Sequence, residues 1–128
     1  MASNEDWNLI YSYTRAQAIE DGVLIDVSEE AKGIGFKVHT VVTDNLFHGY
    51  VTPPAGLEGE GQSTMGRLHD LMVLALFAAR AYGAGDRVKF KVAFLMAPGR
   101  KETIEVIAHM GPGDSGEPVL TFMLPEDD

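Results

Sequence analysis

The sequence predicts an α+β fold in a single domain over residues 1–128. An antiparallel three-stranded meander, over about residues 87–124, packs on one long apolar helix over about 64–82, with short N-terminal helices and a strand before them. Three observations predict it. Leu71 to Ala79 is apolar at every position, as in a helix buried on most sides. Beyond that segment the apolar period drops from helical to two: Val88, Phe90, Val92 and Phe94 alternate with Arg87, Lys89, Lys91 and Ala93. Finally, 128 residues with 45% hydrophobic content suffice for one core.

The elements follow in order. Thr14 suits an N-cap, because its hydroxyl can accept from an open amide of the first turn, and Gly22 suits a helix stop, so a short helix is expected from about Arg15 to Asp21. Val23 to Val27 is a β-branched run that reads as a strand. Ser28-Glu-Glu caps a further turn of helix that ends at Gly33-Ile-Gly35. Phe36 to Val42 has enough β-branching for a strand, while Thr43-Asp44 can open a short helix through Phe47 and Tyr50. Residues 52–63, with two prolines and three glycines, read as a mobile loop or as a lid over a site. Ser63 or Thr64 then caps the long helix, which stops at Gly83-Ala-Gly85. Asp70 interrupts its apolar run, which is too short for the roughly 20 residues of a membrane span. Pro98-Gly99 supplies a hairpin turn, basic residues of the first strand can face Glu105 on the second, and Leu120, Phe122 and Leu124 continue the apolar face on a third. Glu126 to Asp128 reads as a frayed tail within 125–128, whose loss should leave folding intact.

Charge is uneven. The net charge is −9, with acids concentrated at both ends and basic residues (Arg67, Arg80, Arg87, Lys89, Lys91, Arg100) in the segment between. An acidic total repels nucleic-acid phosphates, so no direct nucleic-acid binding is expected, and it favours plain solubility or a basic partner. Cysteine is absent, which excludes disulfides and thiolate metal sites and fits a cytoplasmic setting. Met1 to Asp6 lacks the basic and apolar regions of a secretory signal.

Several motif matches fail on their own chemistry. Gly111, Gly113 and Gly116 have dinucleotide-loop spacing but lie between two strands beside Asp114 and Glu117, where phosphate is repelled; a hairpin connection is the better reading. Gly113-Asp-Ser-Gly116 resembles a serine-protease nucleophile segment, yet Glu117 replaces the expected glycine and the chain is too short for two barrels. His39, His48, His69 and His109 include no pair at the spacing that sets two metal ligands on one helix face, so no metal and no cofactor is expected. His69 beside Asp70 is a weak candidate for a general base, since neighbours on a helix point about 100° apart.

Tyr11, Tyr13, Arg15 and Gln17 form a dense polar and aromatic cluster, with a structural role on the sheet edge (Arg15 bonded to an acid such as Asp26) or a role in recognition. The segments Tyr11 to Ser28 and Gly111 to Leu124 together resemble a family of short bacterial, plasmid and phage proteins that carry a domain of unknown function, and the order of elements between them matches. That resemblance implies a domain and no chemistry. It implies a mobile-element setting, in which a non-enzymatic acidic protein binds a basic host or defence protein through Tyr11, Tyr13, Arg15, Gln17, Asp21, Asp26, Glu29, Glu30 and the tail acids. Two alternatives stay open: a small enzyme with the 52–63 loop closing over Arg15, Tyr13 and His69, and a homodimer formed through the apolar helix and the sheet.

Overall fold

The computed structural model describes residues 14–57, 59–82 and 85–128. In chain order the elements are α1 (Arg15–Glu20), β1 (Leu24–Asp26), α2 (Ser28–Ile34), β2 (His39–Thr43), a short α3 (Asp44–Leu46) running into a π-helical turn (Phe47–Val51), α4 (Thr64–Tyr82), β3 (Arg87–Ala97), β4 (Arg100–Pro112), β5 (Pro118–Met123) and a 3-10 turn (Pro125–Asp127).

Local chemistry sets most of these boundaries. Thr14 and Gln17 form a reciprocal capping box at α1, and Gly22, at φ 79°, turns the chain toward β1. α2 ends at Gly35, whose left-handed φ of 119° costs a glycine little. Ser63 Oγ accepts from the Gly66 amide at 3.0 Å and so caps α4. Thr43 precedes α3 without capping it, because its hydroxyl instead donates to Asp127.

The α+β class holds, but among the described residues the sheet has five strands rather than three, in the order β1-β2-β5-β4-β3. The expected meander is one side of it: β3 and β4 pair through Phe90↔Val106 and Lys91↔Glu105, and β4 and β5 through Ala108↔Phe122. The other side is the antiparallel β1-β2 pair, connected through α2 and joined by parallel pairing of β2 to β5 through Val41↔Thr121. Val41 and Val42 point to opposite faces and both are fully buried, so β2 has no apolar-polar alternation to announce it.

The core lies between the sheet and α4. Leu68, Leu71, Met72 and Ala75 of the helix pack with Phe90, Val92, Phe94, Val106, Leu120 and Phe122 of the sheet. Fully burying one such side chain contributes about 1.5–3 kcal/mol. α4 is not buried on most sides, contrary to the sequence expectation. It lies on the outside of the sheet, and Met65, Leu74 and Phe77 are 58%, 40% and 59% exposed. An all-round apolar pattern predicts cover but does not supply it. Among the described residues no helix is long and apolar enough to cross a membrane.

Candidate functional site

α4 and the edge strand β3 frame the principal cleft, a space of about 470 Å³ whose walls include Val92 to Leu95 on one side and Asp70, Val73 and Leu74 on the other. The strand wall carries backbone groups that no strand among the described residues pairs. Asp86 O accepts from Met110 N at 2.7 Å, which directs residue 86 and the even-numbered positions after it toward β4. The N–H and C=O groups of Lys89, Lys91 and Ala93 therefore face away from the sheet, on the side where no strand among the described residues neighbours β3. Their side chains stand on the face opposite α4 and are exposed, whereas Phe90, Val92 and Phe94 are buried toward it.

Arg67 closes one end of the cleft. It is only 4% exposed, and among the described residues no carboxylate bonds it. Nη1 donates to Tyr50 O at 2.8 Å, Nε to Gln62 Oε1 at 3.1 Å, and Nη2 to Leu95 O. Its guanidinium carbon lies 5.5 Å from the centroid of the Phe94 ring, and burial lowers its pKa below the ordinary arginine value. One cation thus ties the π-helical turn, the 52–63 loop, α4 and the end of β3 together. The loop has a second anchor in Leu57, which is 2% exposed.

The residues expected to form a recognition site are divided. Tyr11 and Tyr13 lie outside the described residues. Arg15 does not bond Asp26; its Nη2 donates to Thr121 Oγ1 at 2.7 Å and its backbone N–H to Asp114 Oδ1 at 2.8 Å, on the sheet face away from α4. Its Nε is buried without a hydrogen-bond partner, and burial lowers the pKa of the group against the opposing pull of Asp114 and Glu117. Gln17 serves the capping box, and Asp21 is the C-cap of α1. Asp26 accepts from the Ser28 amide at 2.9 Å and lies 3.2 Å from His39 Nε2. Glu29 lies 3.7 Å from Lys32 Nζ, and Glu30 lines a shallow hollow with Ile34 and Met65.

The tail acids belong to another part of the surface. Asp127, expected on a frayed end, accepts from Thr43 Oγ1 and Asn45 Nδ2, each at 2.7 Å, and Asp128 pairs with Arg87. Many of the acids that give the sequence its charge are thus engaged as internal acceptors. The expected grouping under the 52–63 loop is not formed either. Gln62 and His69 share the cleft, but Arg15 is on the opposite face of the sheet, and His69 and Asp70 are an exposed pair 3.7 Å apart.

Sequence reasoning did not single out Arg67, Leu74 or Phe77. The available signal for the last two was an apolar run too long for one buried stripe; Arg67 had only its place just inside the N-terminus of that helix. No curated protein and no solved structure matches the chain. A family model, described as "Family of unknown function (DUF6573)", matches residues 2–128. That match spans every element described above, and the chain belongs to this family of unknown function.

Proposed function

We propose that the protein is a non-enzymatic interaction domain whose partner-binding surface is the cleft between α4 and β3. The observation that carries this reading is the juxtaposition of strand backbone, unpaired among the described residues, with the exposed side chain of Leu74, which lines the cleft beside Val73. Open edges favour addition of another strand, and apolar side chains beside them add contact area once water is expelled. The proposal departs from a purely acidic docking face, because Asp26, Asp114, Asp127 and Asp128 are engaged in bonds within the fold.

Photo-crosslinking in living bacterial cells tests it. A benzophenone amino acid placed at Leu74 should give a discrete adduct of higher mass, and the same group at exposed Glu29 should not. Adducts at Glu29 with none at Leu74 would move the binding surface away from the cleft.

A further inference from the structure

Resting on the reading of this cleft as a binding surface, we infer that its occupant is an extended peptide segment of alternating acidic and apolar residues, added to the sheet along β3. The backbone of Lys89, Lys91 and Ala93 offers donors and acceptors to such a strand. Side chains of an added strand alternate between the two faces of the sheet. On one face they meet Val73 and Leu74 of α4, with exposed Phe77 further along the same helix. On the other they run beside Lys89 and Lys91, both exposed.

The charges near this edge decide what the second set should be. Lys91 has Glu105 across from it on β4, but Lys89 lies opposite Ile107, and on the other side neither lysine has a neighbouring strand among the described residues. Arg87 is already paired with Asp128. Opposite charges across strands stabilise and like charges destabilise. Asp70 lines the cleft, so the favoured place for carboxylates is the opposite face, beside the exposed Lys89 and Lys91. Arg67 holds Leu95 O, which limits pairing to the β3 segment before that residue.

A second copy of β3 fits less well, because its alternation is basic and apolar. Pairing two such edges would bring lysines of both copies onto one face. Edge lysines guard strands against chance pairing; here they leave an acidic strand unopposed, and Val73 and Leu74 provide the apolar wall it needs.

The probe is a short, capped, fluorescently labelled peptide alternating valine and glutamate, titrated with the full chain and followed by anisotropy and amide hydrogen exchange. Saturable binding is expected, about tenfold weaker when lysine replaces glutamate. N-methylation of the peptide amides that face β3 should abolish it. The Lys89, Lys91 and Ala93 amides should exchange more slowly in the complex, and the Lys89→Glu, Lys91→Glu double variant should reverse the charge preference, its two exposed sites leaving the core untouched. Equal binding of both peptides, or binding that survives N-methylation, would overturn the inference. So would a peptide-free dimer in which the same three amides are already slow, which would assign the edge to a second copy. Absence of peptide binding together with adducts at Leu74 would overturn this occupant and leave the cleft as the interaction surface.

Discussion

Replacing Arg67 with methionine tests how the cleft is held in shape. The substitution keeps an unbranched apolar stem and removes the three donors that reach Tyr50 O, Gln62 Oε1 and Leu95 O. Gln62 can turn toward water, but the two backbone carbonyls lose a buried partner at about 1–3 kcal/mol each. Methionine also removes a cation held out of water, a cost evident in the burial that lowers the Arg67 pKa, and recovers about 1 kcal/mol. Taking about 2 kcal/mol for each carbonyl leaves a net destabilisation of about 3 kcal/mol. With a urea slope of about 1.5 kcal/mol per molar, the unfolding midpoint should fall by about 2 M. Circular dichroism during urea unfolding reads this shift, and exchange of amides in the 52–63 loop should quicken below the transition. Arg67→Lys, whose compact ammonium cannot match the guanidinium's reach to both carbonyls, should fall between methionine and the parent. A methionine variant within about 0.5 kcal/mol of the parent, inside the range of ordinary surface substitutions, would refute the account of Arg67 as the clip.

Three further outcomes are expected. Burial opposes ionisation of Asp26, but hydrogen bonds from Ser28 and His39 outweigh it and lower its pKa, so its contribution is present above the unfolded value of about 3.9 and is lost as pH falls through the lower folded value. Parent and Asp26→Asn should therefore differ most in stability above about pH 4 and converge in acid, as urea unfolding across pH will read. Gly113→Ala should destabilise by about 1–3 kcal/mol in thermal unfolding, because the new Cβ would lie 2.7 Å from Val119 Cγ2 and would overlap Glu117 Oε1; adding Glu117→Ala should recover part of the loss. Asp127→Ala should cost about 2 kcal/mol by the loss of bonds from Thr43, Asn45 and the Leu124 amide, whereas a tail that contributes nothing would leave the melting temperature unchanged.

Much of the fold was legible because its signals are local. The Thr14 cap, the Gly22 and Gly35 stops, the limits of α4 and the Pro98-Gly99 hairpin each depend on residues within a turn of one another. The pairing of His39–Val42 with Val119–Phe122 depends on segments far apart in sequence, and leaves no trace in either taken alone. The binding surface was harder to read for a related reason. A lone cation satisfied by backbone carbonyls has no sequence pattern, and carboxylates such as Asp26 and Asp127 look the same in sequence whether they face a partner or cap the chain's own amides. Exposure of Leu74 and Phe77 likewise depends on what lies beyond α4, which hydropathy does not encode.

The central place of β5 has a consequence for how the protein is made. Both antiparallel pairs, β1-β2 and β3-β4, are synthesised before it, yet they share no ladder with each other and within the described sheet are joined only through it. Until residues 118–123 are available, a growing chain has two separate pairs of strands and an apolar helix with much of their joint core open to water. Early strand formation cannot stand in for this step, because long-range pairing must first overcome loop-closure entropy. The nascent protein is therefore most vulnerable to aggregation, and most in need of chaperone cover, just before its five strands can close into one sheet.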